Sequence, residues 1–425
     1  MKRSDRRTFL KTASALAVAG ASQSFPSPAI AQGVRITMWH WLTRPDDAVW
    51  AGLLAEWNRR RPDLQVAVDH VPLAEFRQKA LTADQSGAPP DVSRIHPAWL
   101  GELDALDALE PLDQRVDGWT HRRDLFDEAI RVCRPMSSRP MIMLPILGQW
   151  VYLAYYRNDW LQEAGLGVPG TWDEYLVAAK AMTRPPDRFG FSMRGGIQGW
   201  AHGWVNMFYA YGLSIVDERG GIGVNSAQAI ERNQWFLDLY RVHRVTAPSA
   251  INDGFPQIAA LWRAGRAGSF FHGVHAQSSF TETAGDRVIG APVPRGSNAW
   301  TRADAIGMSI WRKSRNKNAA WEFLSWLLEP EQHARINLNP LEPNVPALRS
   351  VAARADYQGN RFMQAALAQR ESWGLLPYWH PYWAEMADVD WHPLFQRALQ
   401  GQITSKQMLD QLAQGFERAG MPRRR

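Results

Sequence analysis

Tryptophan and histidine stand close together at points where predicted strands end. His40 and Trp41 close the first predicted strand, and His96 and Trp99 follow the third. The chain has 21 tryptophans, which is more than the core of most folds needs. An indole offers a flat apolar face and one N–H donor, while an imidazole offers a donor and an acceptor. In combination, these groups are suited to stacking on a sugar ring and hydrogen bonding its hydroxyls.

An alternation of strands and helices has to position these side chains. Residues 35–41 and 66–70 are predicted strands, and between them Pro45 opens a helix whose apolar residues recur at helical spacing. A helix over 73–85 and a strand over 91–95 follow. This alternation predicts an α/β fold with a doubly wound sheet. In such sheets, ligands bind just beyond the carboxyl ends of the strands.

Later segments carry helix signals of their own. A capping box begins a helix over 171–182, and the periodicity of 226–243 and 317–329 is helical. A second box at 404–407 precedes a final helix. Two long irregular segments are expected, at 195–199 and 377–391.

Size, charge and cysteine content narrow the class of protein. A chain of 425 residues exceeds the roughly 250–300 at which one core stops growing, which predicts two domains. The formal net charge of +6 comes mostly from the first 31 residues and does not indicate nucleic-acid binding. Cys133 is the single cysteine, so neither an intramolecular disulfide nor a cysteine-bound cluster is expected. Without a dinucleotide-binding or zinc-protease motif, the sequence predicts no cofactor and no metal.

The first 31 residues have the layout of an export signal. The pair Arg6 and Arg7 precedes a short apolar run over 13–20, and residues 29–31 form an Ala-x-Ala cleavage site. The pair resembles a twin-arginine signal. Because no cysteine follows to accept a lipid, we expect a soluble, unanchored periplasmic protein that is cleaved near Ala31 and begins near Gln32.

Two alternative classes stay open at this point. An exported carbohydrate-active enzyme needs two carboxylates beside the scissile bond, and 42 acidic residues leave such a pair possible. A metal-binding protein is the other alternative, because His272 and His275 have the spacing of half a metal site.

Four motifs, in the same order along the chain, resemble the sugar-binding family of ABC-importer solute-binding proteins that includes maltose-binding protein. They are GAPPDV at 87–92, LAYYRND at 153–159, TWDE at 171–174 and NKNAAWEFL at 316–324. The resemblance covers nearly the whole exported chain. It implies a type II periplasmic-binding fold, in which two α/β lobes, each a sheet flanked by helices, enclose a ligand cleft.

The resemblance also implies three passages between the lobes, near residues 143–146, 291–294 and 341–345. The lobes would then comprise residues 32–143 and 294–342 for the N-terminal lobe, and residues 144–293 and 343–425 for the C-terminal lobe. Hinge closure around a ligand is the expected motion.

Cleft residues are expected both at strand ends and at positions where the family places ligand contacts. The strand ends contribute His40, Trp41, His96 and Trp99. The resemblance adds Gln149, Trp150, Arg194, Gly196, His275, Trp379 and Trp383. The buried-looking pair Arg302 and Asp304 is interpreted as mainly structural.

The resemblance implies a binding protein rather than an enzyme. Its expected partners are a small carbohydrate ligand and the permease subunits of an ABC transporter, with the protein itself a monomer. The identity of the sugar stays open, and an arginine in the cleft would favour an anionic ligand.

Overall fold

The computed structural model describes residues 33–41, 47–136 and 138–420. The expected export signal over 1–31, its cleavage site and Pro45 lie outside the described residues. Within them, no helix combines the length and the apolar character that crossing a membrane requires.

Two β-sheets organise the described residues. The strands are β1 (Val34–His40), β2 (Leu64–His70), β3 (Val92–Ile95), β4 (Gln149–Arg157), β5 (Ser269–Gly273), β6 (Val288–Ala291), β7 (Thr301–Ala305), β8 (Gly307–Ile310) and β9 (Trp373–Gly374). The first sheet has the order β2-β1-β3-β8. The second has the order β5-β4-β7-β9, with β6 also paired to β4.

The first sheet confirms the predicted α/β alternation. Strand β1 runs parallel to β2, with Ile36 opposite Val66, and parallel to β3, with Met38 opposite Val92. Strand β8 joins β3 in the antiparallel direction. Because β1 and β3 are parallel, their carboxyl ends meet at one edge of the sheet.

Strand β4 is the centre of the second sheet. It pairs antiparallel with β5, β6 and β7, and all nine of its residues are buried. A strand buried on both faces reads in the sequence as a continuous apolar run, as LAYY does here.

Helices flank both sheets. Their bounds are α1 (Ala48–Arg60), α2 (Leu73–Gln85), α3 (Leu100–Ala105), α4 (Asp113–Asp117), α5 (Asp127–Arg131), α6 (Asn158–Glu163), α7 (Trp172–Met182), α8 (Gly203–Ala210), α9 (Ala227–Arg241), α10 (Phe255–Arg263), α11 (Gln277–Ala284), α12 (Lys317–Leu327), α13 (Pro330–Asn337), α14 (Arg349–Ala352), α15 (Ala355–Gln358), α16 (Arg361–Ala368), α17 (Trp383–Glu385), α18 (Trp391–Leu399) and α19 (Ser405–Ala419).

The capping signals mark helix starts correctly. Thr171 caps α7 and Thr404 caps α19, each through a complete capping box. The segment 377–391, expected to be irregular, is helical from Trp383 onward. There α17 continues through a π-helical segment, Met386–Asp390, into α18.

The chain passes three times between the sheets, from β3 to β4, from β7 to β8 and from β8 to β9. The second passage occurs at Ile306, rather than near 291–294 as the resemblance implied. The reason is that Thr301–Ala305 pairs with β4 in the second sheet, so the chain leaves that sheet only after Ala305. The other lobe boundaries stay a prediction.

The passages are hydrogen-bonded to one another. Leu144 and Met308 pair in both directions, at 2.8 and 3.0 Å. Gln149 and Val345 pair likewise, at 2.8 and 3.2 Å. The three passages therefore form one short ribbon between the sheets, rather than three separate linkers.

A glycine allows this ribbon to pack. Gly148 has φ of 60°, and a Cβ there would lie 2.2 Å from the carbonyl oxygen of Val345 and 2.5 Å from Oδ1 of Asn337. Both the backbone conformation and the close approach exclude larger residues.

Candidate ligand-binding cleft

A cavity of about 490 Å³ lies between the two sheets. Trp41 and His96, which follow β1 and β3, contribute to its wall from the first sheet. Trp150, Tyr152 and His272 contribute from β4 and β5 of the second sheet. A site built from both sheets changes shape whenever the sheets move relative to each other.

The end of β1 shows how strand geometry selects one aromatic residue for the wall. His40 and Trp41 are consecutive, and side chains alternate in direction along a strand. Trp41 lines the cavity, while His40 packs against Trp50 of α1 with ring centroids 4.4 Å apart. The buried Arg94 holds Trp41 in place, because its Nη1 donates to the Trp41 carbonyl oxygen at 2.9 Å.

His96 is a neutral hydrogen-bond donor at the end of β3. Its Nδ1 accepts from the backbone N–H of Ala98 at 3.2 Å. Burial, together with the charges of Arg302 and Arg94, lowers its pKa to about 3. A neutral imidazole that accepts at Nδ1 carries its proton on Nε2, so His96 presents an N–H group.

Trp150 and His275 form a stacked pair in the cavity wall. Their ring centroids are 3.9 Å apart and their planes are inclined by 22°. Neither Trp150 Nε1 nor His275 Nδ1 has a hydrogen-bond partner among the described residues. Burial lowers the pKa of His275 well below its usual value, so this pair is uncharged.

Gly273 makes room for the His275 ring. A Cβ at Gly273 would lie 2.5 Å from Cε1 and 2.6 Å from Nδ1 of His275. Since Gly273 has φ of −60°, the backbone alone does not require glycine. The close approach of the imidazole is what requires it.

Two further histidines extend the uncharged wall. His202 meets His272 edge to face, with ring centroids 4.8 Å apart and planes inclined by 76°. His272 stacks on Tyr152, with centroids 6.1 Å apart and planes inclined by 17°. Burial lowers the pKa of His272 to about 3, and it lowers that of His202 well below its usual value. The wall thus offers polar groups without histidine charge.

The guanidinium of Arg302 is held by hydrogen bonds and an ion pair. Its Nε donates to the Tyr378 hydroxyl at 3.0 Å, and its Nη1 donates to the Tyr152 hydroxyl at 2.8 Å and to the Ala201 carbonyl at 3.0 Å. Its Nη2 forms an ion pair with the buried Asp304. This network agrees with the structural interpretation of the Arg302 and Asp304 pair.

Five of the eleven expected residues line the cavity: Trp41, His96, Trp150, Arg194 and His275. The other six lie outside the wall. His40 faces α1, as described above. Trp99 turns away because residues 97–99 form a 3-10 turn. Its ring stacks on Phe76 at 5.5 Å, and its Nε1 donates to Asp388 at 3.1 Å.

Four more of the expected residues make contacts away from the cavity wall. Gln149 lies in the ribbon between the sheets, and the Gly196 backbone N–H donates to the Asp253 carbonyl oxygen at 3.0 Å. Trp379 lines a separate cavity of about 330 Å³. Trp383 is fully buried, edge-on to Trp200. Trp383 packs inward because the chain is helical from that residue onward, while Trp379 is buried in the turn before the helix.

Several wall residues were not foreseen from the sequence. Tyr152 sits inside the apolar run of β4 and His202 precedes α8, and neither carries a local signal. The sequence singles out His272 only through its spacing to His275, which is typical of half a metal site. Within the described residues, no group of three or more His, Cys, Asp or Glu side chains is arranged to hold a metal ion.

Two sheets joined by a short ribbon, with one cavity walled by both, define a two-lobed ligand-binding protein. The chain belongs to the bacterial extracellular solute-binding protein family, whose sequence model matches residues 41–334.

Known proteins of similar sequence or structure are binding proteins. The chain is 25% identical to the mannitol-binding protein of Pseudomonas aeruginosa over 312 residues, which is 64% of this chain and 68% of that protein. A solute-binding protein of Thermotoga lettingae bound to alpha-D-tagatose superposes with a TM-score of 0.81 at 17% identity, covering 91% of this chain and 100% of that chain. Maltose-bound MalE3 of T. maritima gives 0.80 at 22% identity, covering 91% and 99%.

Proposed function

We propose that the protein is the substrate-binding component of an ABC importer, which captures a sugar or polyol in the cleft and delivers it to membrane permease subunits. The observation that carries this proposal is the stacked pair Trp150 and His275, with the N–H donor of His96 in the same wall. Aromatic planes match the apolar face of a sugar, and neutral donors match its hydroxyls. The mannitol, tagatose and maltose named for the similar proteins support this ligand class.

Binding without turnover fits the cavity better than glycoside hydrolysis does. A glycosidase requires two carboxylates that flank the bond. Among the described residues, the cavity wall contains one carboxylate, Glu282, and its side chain is exposed. The buried Asp304 lies behind Arg302 and is neutralised by it.

The proposal places the protein in the periplasm. Cleavage near Ala31 would release a chain that begins near Gln32, carries no lipid and works as a monomer. Intact-mass measurement on the osmotic-shock fraction tests this, and a mass equal to the full 425 residues would contradict it.

Ligand binding is proposed to close the two lobes about the ribbon that joins the sheets. The radius of gyration from small-angle X-ray scattering should then decrease at saturating ligand. An unchanged radius would argue for a rigid site.

A thermal-shift screen over sugars and polyols tests the proposed function directly. A ligand that binds only the folded protein raises the melting temperature in proportion to the logarithm of its concentration over Kd. Chromatography of the same mixtures reports turnover. Saturable binding with intact ligand supports the proposal, and hydrolysis of a glycoside would replace it with an enzyme.

A further inference from the structure

Arg194 is held in the cavity wall by a tightly packed segment. The backbone N–H of Gly195 donates to the Ala250 carbonyl oxygen at 2.8 Å. A Cβ at Gly195 would lie 2.4 Å from the Ile251 carbonyl oxygen, and one at Gly199 would lie 2.1 Å from that of Arg194 itself. The backbone of Arg194 therefore has little freedom to move away from the cavity.

The guanidinium of Arg194 has one hydrogen-bond partner among the described residues. Its Nη1 lies 3.0 Å from Nε2 of His202. An arginine has no acceptor atom, so His202 accepts there and carries its own proton on Nδ1. Neither Nε of Arg194 nor Nδ1 of His202 has a partner in the described part of the chain. The two side chains thus form a cluster of donors without acceptors.

Two other arginines near the cleft form ion pairs with carboxylates. Arg94 pairs with the buried Glu342 at 2.7 Å, and Arg302 pairs with Asp304. By contrast, no described carboxylate lies within 4.0 Å of Arg194; the salt bridges of the described residues do not include it. The contrast indicates that this fold supplies counter-ions to buried guanidinium groups, and that Arg194 is an exception at the cavity.

Arg194 stays charged although its side chain is partly buried in the cleft. Burial lowers its pKa to about 10, which leaves the guanidinium protonated at neutral pH. Arg263 and Glu282 also line the cavity, but both are exposed. A partly buried guanidinium whose Nε is shielded from solvent and has no partner among the described residues is costly unless a negative group pairs with it. A carboxylate or phosphate matches its planar donors in a bidentate manner.

We infer that Arg194 is the anion-binding group of the cleft and that the ligand is an acidic sugar, whose anionic group pairs with this guanidinium. The inference rests on the proposed function and narrows it from sugars and polyols in general. A carboxylate, phosphate or sulfonate would offer the same chemistry to Arg194.

Matched pairs of ligands test the inference on the intact protein. Binding to the purified protein is measured by calorimetry for glucose against glucuronate and for galactose against galacturonate. A hexose phosphate and a hexose sulfonate form further arms that distinguish the type of anion. At least one acidic sugar should bind about 30-fold or more tightly than its neutral partner, as a buried charge pair would produce.

Substitutions at Arg194 separate the charge from the fold. Arg194→Gln should weaken the acidic sugar by about 30-fold or more, and should weaken a neutral sugar by a clearly smaller factor, because only the acidic sugar loses an ion pair. Arg194→Lys should recover part of the lost affinity, since it keeps the charge but not the planar fork. Arg60→Gln, at an exposed arginine of α1 away from the cavity, is the control and should bind like the parent.

The outcomes differ for the inference and for the proposed function. Neutral sugars that bind as tightly as their acidic partners, or acidic sugars that bind the folded Arg194→Gln variant like the parent, would overturn the inference and leave the proposed function standing. If no sugar, polyol or sugar acid binds, both are overturned. If Arg194→Gln does not fold, the inference is tested by the affinities of the parent protein for the matched acidic and neutral sugars and by the affinity of the Arg194→Lys variant for the acidic sugar.

Discussion

Trp150 and His275 stack face to face with centroids 3.9 Å apart, although Trp150 lies in β4 and His275 follows β5. The antiparallel pairing of these strands, with Tyr152 opposite Gly273, brings the two rings together. Both rings line the cavity.

Removing the indole at the cavity should reduce affinity more than stability. Trp150→Ala should weaken binding of the best ligand by about 2 kcal/mol or more, as for aromatic anchors in interfaces generally. The matched control is Trp50→Ala in α1, where Trp50 is buried against His40. That variant should lose about 3–5 kcal/mol of folding free energy. Calorimetry and urea denaturation on both variants measure the difference, and equal affinity of Trp150→Ala and the parent would contradict the prediction.

A single methyl group at Gly273 should displace the imidazole from its partner. In Gly273→Ala, the new Cβ would approach His275 to about 2.5 Å, so the ring must tilt away from Trp150. We expect weaker ligand binding with the strand pairing retained. Gly167→Ala is the control, because no heavy atom lies within 4 Å of a Cβ there. Calorimetry should show a loss of ligand affinity in Gly273→Ala and none in Gly167→Ala. Unchanged affinity in Gly273→Ala would mean that binding does not need the stacked geometry.

Acid should destabilise the protein through its buried histidines. The pKa values of His96 and His272 are lowered to about 3 in the folded state, mainly by burial, from an ordinary 6.5. Between these pKa values, the two histidines are protonated in the unfolded chain and neutral in the folded chain. The stability from each neutral side chain is complete above about pH 6.5 and is lost as the pH falls towards 3, at up to about 1.4 kcal/mol per pH unit.

Replacing one of these histidines tests that pH dependence. His96→Asn should flatten the dependence of unfolding free energy on pH by about 1.4 kcal/mol per unit between those limits. Urea denaturation across this range measures the slope, and an unaltered slope in the variant would contradict a buried neutral His96.

The buried charge of Arg302 should depend on its carboxylate. Asp304→Asn removes the ion pair and leaves the guanidinium without a counter-charge, for an expected loss of about 3–5 kcal/mol. Asp286→Asn is the control, because Asp286 is 99% exposed where it pairs with Arg361 and should contribute less than about 1 kcal/mol. Equal stability of the two variants in urea would show that the Arg302 network is dispensable.

Strand ends could be predicted from the sequence because apolar alternation and turn residues mark them. This is why Trp41 and His96 were identified. The same signal could not choose between His40 and Trp41, since the direction of each side chain depends on which face α1 covers. Trp99 was misplaced for a related reason, because a 3-10 turn after His96 redirects it towards Phe76.

Other features depend on pairing between distant segments, which no local pattern records. The passage at Ile306 follows from the pairing of Thr301–Ala305 with β4, so the boundary implied by the resemblance was too early. Trp379 and Trp383 were expected in a loop, but their segment is helical beyond Trp383 and packs inward. Arg194 was identified, whereas its lack of a carboxylate partner could be recognised only in three dimensions.

The ribbon between the sheets also determines how the two lobes can move. Since Leu144 pairs with Met308 and Gln149 pairs with Val345, the passages cannot slide or lengthen independently without breaking these bonds. In the proposed closure of the lobes, the three passages would therefore move as one unit. Gly148 lies in this ribbon, at a position where no larger side chain fits against Val345. With the passages tied together in this way, the side chains of the wall, rather than separate adjustment of each passage, would determine the size of ligand that the closed cleft accepts.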